Sequence, residues 1–327
     1  MVVRITLLAG GIGAARFLRG LLADSPDAEV TVIGNTGDDL TLYGLQVSPD
    51  LDTVMYTLGG GNDEAKGWGR AEETWNALAE IQAYDATASW FGLGDRDIGT
   101  HLVRTAMLDD GHTLSEVTAT LTARWNLPVR LVPMTDHRVE THVTVEDPDA
   151  PEGRRRLHFQ EYWVRHHASL PVIDIEVEGI AESTPAPGVL EAISEADLIL
   201  LPPSNPVVSI GPILAVPGVR DAVLASPAPV VGLSPIVGGA PVRGMADKLL
   251  PAIGVDTSAA GVALHFGARS SGGLLDAWLV DERDADAVPR IEEAGIAARA
   301  VPLMMTDVPA VAEMARVALD LADAVRR

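Results

Sequence analysis

The sequence contains no cysteine, and this absence excludes several kinds of chemistry. Among its 327 residues there is no thiol nucleophile, no thiolate metal ligand and no disulfide. A G-x-S-x-G motif is also missing, so there are few candidates for a covalent nucleophile. The eight histidines have no metal-ligand spacing, and isolated residues such as His101 and His142 are more often ordinary core or surface groups. The chemistry that remains is the positioning and charge neutralisation of bound substrates.

Basic residues are scarce, because the chain has 24 lysines and arginines but 46 aspartates and glutamates, which gives a formal net charge of −22. Such a charge repels a phosphate backbone or an anionic membrane surface, so we expect no nucleic-acid or membrane partner. Small-molecule substrates are still compatible with it, because an arginine cluster or a cation overcomes the global field locally. No apolar run approaches the roughly 20 residues of a membrane span, and the first residues lack the order of a signal peptide. We therefore expect a cytoplasmic protein, and we expect it to be a homodimer.

Short apolar segments alternate with helical ones along most of the chain, which predicts a Rossmann-like α/β fold with a mostly parallel, doubly wound sheet. This core is predicted to extend over residues 1–327. Residues 135–180 are predicted to be a smaller β-rich insertion, because segments such as 138–145 and 155–164 alternate apolar and polar residues. Thr113 and Glu116 predict a capping box. A helix is expected over 243–253, and Thr306 is expected to cap the last helix.

A glycine turn at residues 10–13 joins the first predicted strand to the first helix. Gly11 and Gly13 would let the backbone approach an anion at the start of that helix. They match the first two positions of the dinucleotide motif G-x-G-x-x-G, but Arg16 replaces the third glycine and Asn35 replaces the acid after the second strand. Both departures argue against NAD or FAD. For this motif alone, a phosphate-binding turn and an ordinary structural turn are equally good interpretations.

Other polar loops follow predicted strands, so they share the carboxyl edge of the sheet. One contains Ser204, Asn205 and Ser209, which suit either a phosphate or base site or an ordinary helix cap. Acidic residues in such loops suit magnesium, although solvation or capping explains most of them individually. Arg96, between two acids, suits a phosphate or a structural salt bridge equally. The acids concerned are Asp38, Asp39, Asp50, Asp52, Asp63, Asp95 and Asp97.

Seven motifs in one order resemble a single family across nearly the whole chain. Each motif is weak alone, but their shared order is specific. The family is that of the 2-phospho-L-lactate transferases and their actinobacterial counterparts, the phosphoenolpyruvate transferases of deazaflavin coenzyme F-420 biosynthesis. The motifs are L-A-G-G-I-G-A-A-R, N-T-G-D-D-L, S-P-D-L-D-T-V-M-Y, F-G-L-G-D-R-D-I-G-T-H, H-F-Q-E-Y-W-V, P-P-S-N-P-V-V-S-I-G-P-I and S-P-I-V-G-G-A-P-V-R-G.

The resemblance implies transfer of a phosphoenolpyruvyl or 2-phospholactyl group from a guanosine diphosphate conjugate to the ribityl hydroxyl of 7,8-didemethyl-8-hydroxy-5-deazariboflavin. GMP is released, and Mg²⁺ is present. By the match, the deazaflavin acceptor would contact Asp50 or Asp52, and Arg96. The catalytic candidates are Asp39, Asp52 and Arg96. Loop placement suggests the metal candidates Asp38, Asp39 and Asp63, and the donor candidates Gly11, Gly13, Ser204, Asn205 and Ser209.

Arginine far outnumbers lysine and alanine is abundant, which favours the actinobacterial form with a phosphoenolpyruvyl donor. A rival interpretation is a non-catalytic regulator with the same core fold that binds a nucleotide sugar. The F-G-L-G-D-R-D and H-F-Q-E-Y-W stretches favour the transferase, because they match its acceptor side. An NAD-dependent oxidoreductase is a third interpretation, which Arg16 and Asn35 disfavour.

Overall fold

The computed structural model of the chain describes residues 2–84 and 90–326. This part of the chain contains fourteen strands, most of them short and apolar. In chain order they are β1 (Arg4–Ala9), β2 (Glu29–Gly34), β3 (Leu40–Leu42), β4 (Leu45–Val47), β5 (Arg130–Pro133), β6 (Glu140–Glu146), β7 (Arg154–His158), β8 (Val172–Glu178), β9 (Leu198–Leu201), β10 (Val230–Leu233), β11 (Ile236–Val237), β12 (Ala240–Pro241), β13 (Ala277–Asp281) and β14 (Ala297–Val301).

The same residues contain twelve α-helices. They are α1 (Ile12–Asp24), α2 (Pro49–Leu58), α3 (Asn76–Tyr84), α4 (Asp95–Asp109), α5 (Leu114–Ala123), α6 (Val189–Ser194), α7 (Gly211–Ala215), α8 (Val219–Ala225), α9 (Ala246–Leu249), α10 (Ala259–Phe266), α11 (Val288–Glu293) and α12 (Val308–Val325). The predicted capping box at the start of α5 is confirmed, because Thr113 accepts from the backbone of Glu116, whose side chain accepts in return.

Seven parallel strands form the central sheet in the order β14-β13-β10-β9-β1-β2-β5. The chain adds β2 and β5 on one side of β1, then returns to add β9, β10, β13 and β14 on the other. The winding direction therefore reverses between β1 and β9. In such sheets the loops after the two central strands diverge and leave a crevice at the carboxyl edge. The predicted α/β fold with a doubly wound parallel sheet is confirmed.

Helices cover both faces of this sheet and bury one apolar cluster on each. One cluster includes Phe17 of α1, Val54 of α2 and Met314 of α12. The other includes Ile193 of α6 and Val219 of α8. Burying each such side chain contributes about 1.5–3 kcal/mol, so the two clusters hold the crevice walls in fixed positions.

Residues 135–180 contain a separate antiparallel sheet in the order β7-β6-β8. The strand expected over 155–164 is wrong in its second half, because β7 ends at His158 and a π-helical turn follows at Glu161–Arg165. Phe159 and Tyr162 are both buried in one cluster. A strand would point two residues three apart to opposite faces, whereas a helical turn places them on the same face.

Two further local expectations are corrected. The helix expected over 243–253 is reduced to α9 and a 3-10 turn at Pro251–Ile253, because Pro251 has no N–H with which to continue an α-helix. Asp307, rather than Thr306, caps α12, and its carboxylate accepts from Ala310 N at 2.8 Å. No single helix in the described residues is long and apolar enough to cross a membrane. The segments Pro206–Ala215 and Val219–Ala225 pass that test only together, and they are bent by 84° to each other.

Candidate functional site

The glycine turn after β1 and the loop after β9 meet where the winding of the sheet reverses. Gly10 N donates to Ser204 Oγ at 3.3 Å. A Cβ on Gly13 would lie 2.0 Å from the carbonyl oxygen of Pro203, so only glycine allows this approach. Helix α1 begins here with no side-chain cap on its first N–H groups. The two loops that were predicted separately as donor sites therefore form one wall.

An acid lies directly against the glycine turn. Asp50 is in the first turn of α2, and a Cβ on Gly11 would lie 2.5 Å from Asp50 Oδ1. A Cβ on Gly10 would lie 2.6 Å from Ser209 Oγ. These two glycines thus make room for protein side chains. A phosphate at this turn would meet a carboxylate and would require a positive charge between the two groups.

The amide of Asn35 joins two carboxylates from different loops. Its Nδ2 lies 2.9 Å from both Asp38 Oδ1 and Asp50 Oδ2, and Gln160 Nε2 donates to Asp38 Oδ2 at 2.7 Å. The other end of Asn35 accepts from Gly37 N at 2.9 Å. An aspartate at position 35 would add a third negative charge, so the asparagine that departs from the dinucleotide pattern has a structural reason.

The pKa values of this acid pair are raised. Burial, together with the charges of Asp50 and Asp39, raises the pKa of Asp38 well above its usual range. Burial also raises the pKa of Asp50 to about 6, although hydrogen bonds from Asn35 and the backbone of Gly11 act against it. Two desolvated carboxylates in close proximity are poised to bind a cation, since a cation removes the repulsion between them.

Asp52 points into a different set of partners, on α4. Arg104 donates to both of its carboxylate oxygens, with Nη1 at 3.1 Å from Oδ2. Only 5% of Asp52 and 2% of Arg104 is exposed, so this ion pair is desolvated. His101 Nδ1 lies 3.0 Å from Arg104 Nη1 and 3.8 Å from Asp52 Oδ2. The charge of Asp52 is therefore neutralised within the protein.

The network continues to a second acid and a tyrosine. His101 Nε2 lies 3.4 Å from Asp97 Oδ2, and the Tyr56 hydroxyl donates to Asp97 Oδ1 at 2.7 Å. Burial acts to raise the pKa of Asp97, but the hydrogen bond and charge of His101 hold it below its usual range. Burial raises the pKa of Tyr56, so its hydroxyl stays protonated and keeps its donor role.

A cavity of about 860 Å³ opens at this edge of the sheet. Both groups of acids line it, because Asp38, Asp50, Asp52 and Asp97 are all in its walls. All five predicted donor residues line it as well: Gly11, Gly13, Ser204, Asn205 and Ser209. Asn205 also has a structural role, since its Oδ1 accepts from Val207 N and Val208 N and caps the turn after β9.

Three other predicted site residues do not line this cavity. Arg96 Nη1 lies 3.2 Å from Glu72 Oε2 and 3.2 Å from the carbonyl oxygen of Ala71, at the surface. Asp63 is half-buried and caps its own turn, accepting from Ala65 N and Lys66 N. Asp39 Oδ2 accepts from Ser48 Oγ at 2.7 Å, and its Oδ1 is buried with no hydrogen-bond partner in the described residues.

The donor set of the cavity fits magnesium at the Asp38 and Asp50 carboxylates. Within residues 2–84 and 90–326, no three acidic or histidine side chains form a complete metal site. Magnesium is normally held by one or two carboxylates, with phosphate oxygens and water as its other ligands. A pair of desolvated acids beside a glycine turn supplies the protein's share of that set.

Sequence reasoning missed four side chains that organise the site: Asn35, Gln160, His101 and Arg104. A signal for two of them was present, because Asp97, His101 and Arg104 follow the i, i+4, i+7 spacing of one helix face. That face of α4 is buried, whereas Leu102 and Val103 are exposed. Nothing local to the sequence indicates that Gln160 reaches Asp38 across 122 residues.

Comparison with known proteins places this geometry in a family. Residues 5–315 match the family model CofD, described as 2-phospho-L-lactate transferase. The chain is 64% identical to a phosphoenolpyruvate transferase of Kitasatospora aureofaciens over 325 residues, covering 99% of each chain. It is 51% identical to the phosphoenolpyruvate transferase of Mycolicibacterium smegmatis, covering 98% of this chain and 99% of the other.

A crystal structure of a UPF0052 family protein from Bacillus halodurans has the same fold. It superposes with a TM-score of 0.61 at 18% identity and covers 98% of this chain and 99% of the other. At this identity the likeness concerns the fold alone. The family model and the curated relatives agree over nearly the full length. The chain therefore belongs to the CofD family of transferases, described as 2-phospho-L-lactate transferases.

Proposed function

We propose that this protein moves a phosphoenolpyruvyl group from a guanosine diphosphate conjugate to the ribityl hydroxyl of 7,8-didemethyl-8-hydroxy-5-deazariboflavin, with release of GMP. One observation carries the proposal: the two backbone loops at the reversal of the sheet, after β1 and β9, meet beside the buried pair Asp38 and Asp50. This arrangement offers backbone N–H groups to a diphosphate and carboxylates to a cation within one cavity.

The donor is proposed to lie along the joined loops. Gly13 keeps the start of α1 close to Pro203, and the uncapped N–H groups of α1 are free to bind phosphate oxygens. Ser204 and Ser209 add hydroxyl groups to the same wall. In-line transfer of a substituted phosphoryl group depends mainly on positioning and electrostatic stabilisation, so a rigid wall of this kind is suited to it.

Magnesium is proposed to be held by Asp38 and Asp50. When bound, it would offset the charge of the diphosphate and the developing charge on the GMP leaving group. Asn35 orients both carboxylates, and Gln160 fixes the outer oxygen of Asp38. Among the original metal candidates, Asp38 is retained in this proposal. Asp39 and Asp63 are replaced by Asp50, because neither lines the cavity, whereas Asp50 lines it and shares the partner Asn35 with Asp38.

The acceptor is proposed to occupy the part of the cavity with aromatic walls. Tyr56, Trp68, Phe91 and Trp163 line it, and flat ring systems pack favourably against such side chains. Asp52 remains an acceptor candidate, with its carboxylate oriented by Arg104 to receive a hydrogen bond. Arg96, in contrast, must leave Glu72 and enter the cavity if it is to contact the acceptor.

The phosphoenolpyruvyl donor is proposed over the phospholactyl donor because curated relatives that are 50–64% identical over nearly the full length are named phosphoenolpyruvate transferases. The two donors differ by the C=C double bond between C2 and C3 of the three-carbon acid, and discrimination based on so small a difference is normally modest, about 10- to 200-fold. A homodimer in the cytoplasm is part of the same proposal.

The direct test is an assay with the deazaflavin precursor, either guanylyl donor and Mg²⁺. We expect GMP release and a mass increase of the deazaflavin, with a higher kcat/KM for the phosphoenolpyruvyl donor. Omission of Mg²⁺ should abolish both signals. Absence of both signals with both donors, together with tight binding of a UDP-sugar, would instead support the regulator.

Magnesium should stabilise the protein more at pH 7.5 than at pH 5. The folded-state pKa values of Asp38 and Asp50 are raised, to about 6 for Asp50, from an ordinary value of 3.8. Between about pH 4 and pH 6 the folded protein binds more protons at Asp50 than the unfolded chain does. The contribution of Asp50 to stability is therefore full below pH 4 and is lost as the pH rises through 6, and the raised pKa of Asp38 acts in the same direction.

Thermal melts with and without Mg²⁺ at the two pH values measure this effect. At pH 7.5, above the pKa of Asp50, Mg²⁺ should bind at the pair and raise Tm by a few degrees, since a ligand at 100 times its Kd adds about 2.7 kcal/mol. At pH 5 protons compete with the cation and the rise should be smaller. In the variant Asp50→Asn, the part of the Mg²⁺-induced rise in Tm that depends on pH should be absent. An equal Mg²⁺ effect at both pH values would contradict the assignment.

A further inference from the structure

Two arginines face each other across one corner of the cavity. Arg16 is in the second turn of α1, and Arg243 follows the β11-β12 hairpin. Both line the cavity. A Cβ built on Gly67 would lie 3.0 Å from Arg16 Nη2 and 3.0 Å from Arg243 Nη1, so the two guanidinium groups converge on one point. Gly67 has φ +76°, and its missing side chain leaves room for both groups.

Neither guanidinium has an acidic partner. Within residues 2–84 and 90–326, no carboxylate lies within 4.0 Å of Arg16 or Arg243. Among the described residues, the one hydrogen bond of either side chain runs from Arg243 Nη2 to the carbonyl oxygen of Lys66 at 2.5 Å. In a chain with 46 acids and 24 bases, most arginines can find a carboxylate. Arg16 and Arg243 instead face each other, so positive charge is concentrated there without a neighbouring carboxylate to balance it.

The surroundings increase this imbalance. Burial and the neighbouring charge of Arg16 lower the pKa of Arg243. Helix α1, which carries Arg16, begins without a side-chain cap and has no acid in its first turn. The positive end of its dipole lies at Gly11 and already faces Asp50, so the positive charge at this corner comes from the two guanidinium groups. In the absence of a ligand this corner is electrostatically unfavourable, and an anion would relieve it.

We propose that Arg16 and Arg243 form an anion-binding subsite, beside the backbone of Gly67, that binds a carboxylate or phosphate group of the donor. The identity of the donor rests on the proposed function, whereas the anion chemistry does not. In the proposed donor, the carboxylate of the three-carbon acid and the diphosphate are the two groups with this chemistry. Guanidinium groups bind either one through paired, charge-assisted hydrogen bonds.

The test uses calorimetric binding of three probes to the full-length protein: the complete donor, GDP and inorganic pyrophosphate. Arg16→Met and Arg243→Met remove the charges while keeping apolar stems of similar length. Each is expected to weaken donor binding by roughly 10- to 100-fold, the usual loss for a hydrogen bond to a charged group. Arg243→Lys should recover part of the loss. Arg16→Met should not lower Tm, because it removes a repulsion.

Arg19→Met is the matched control. Arg19 lies on the same helix and carries the same charge, but its Nη1 is 2.7 Å from Glu64 Oε1 and the pair is exposed. Such pairs contribute little, so this variant should bind all three probes like the wild type. A loss as large as that of Arg16→Met would show a general charge effect and overturn the proposal.

The probes distinguish the two anion sources. If the subsite takes the carboxylate, the variants weaken binding of the donor and leave GDP binding unchanged. If it takes the diphosphate, donor and GDP binding weaken equally. Equal binding of all three probes by the wild type and by the double variant overturns the subsite. A wild type that binds pyrophosphate more tightly than the double variant does, but transfers nothing, would overturn the proposed function and retain the subsite.

Discussion

Asp38→Asn is expected to lower the rate of transfer by about 10²- to 10³-fold while leaving Tm unchanged or slightly raised. A catalytic cation contributes several kcal/mol to the transition state, and each 1.36 kcal/mol is a factor of about ten in rate. Stability is not expected to fall with the rate, because Asp38 is buried and repelled by Asp50 and Asp39. An amide removes this repulsion, and Gln160 can turn its own amide to restore the hydrogen bond.

The measurement is kcat at saturating donor over a range of Mg²⁺ concentrations, together with a thermal melt. Asp63→Asn is the matched control, since Asp63 lies outside the cavity and pairs with Lys66, and it should transfer normally. Asp39→Asn tests the original metal candidate, and it should retain Mg²⁺-dependent transfer if Asp38 and Asp50 hold the cation. Normal transfer by Asp38→Asn would refute the metal assignment, whereas a loss of both activity and Tm would indicate a structural role.

Arg104→Met is expected to lower the free energy of unfolding by about 3–5 kcal/mol, the range for removal of one partner from a buried ion pair. Arg104 donates to both oxygens of Asp52, and the two side chains are almost completely enclosed. Its removal leaves a desolvated carboxylate next to His101 with no cation to balance it. We expect a fall in Tm on the order of 10 °C, measured by calorimetry at pH 7.

The double variant Asp52→Leu/Arg104→Met separates stability from function. Because it removes both charges, it should recover most of the lost stability, since apolar replacements of buried ion pairs are often neutral. If Asp52 contacts the acceptor, the double variant should fold well and still show a raised KM for the deazaflavin. Normal KM and kcat in the double variant would show that the ion pair is structural only.

Local patterns predicted those parts of the chain in which the physics is local. The capping box of Thr113 and Glu116 lies within one helical turn, and the strand at Glu29–Gly34 follows from the apolar residues Val30, Val32 and Ile33 within six positions. One error came from extending a strand too far. Leu157, His158 and Phe159 alternate like a strand, but Phe159 and Tyr162 are three residues apart, and the burial of both in one cluster requires a helical turn.

The candidate site could be predicted from the sequence as a set of loops, but not as a set of contacts. The glycine turn at residues 10–13 and the loop at Ser204 are each visible locally. Their junction depends on the order of the strands, which brings β9 beside β1. Arg96 and Asp63 had equally good local arguments, but the structure pairs them at the surface with Glu72 and Lys66. The sequence of a loop does not specify whether its polar side chains face the cavity or the surface.

The sequence by itself determined the α/β class, the parallel doubly wound sheet and the family, because these depend on periodicity and on motifs in order. It also excluded thiol chemistry. Only the tertiary structure decided that Asn35 joins Asp38 to Asp50, that Arg104 neutralises Asp52, and that Arg16 meets Arg243 at Gly67. Apart from the local contact between Asn35 and Asp38, these contacts join residues at least 15 positions apart in the chain. Their distances follow from the packing of the helices against the sheet, which no local pattern encodes.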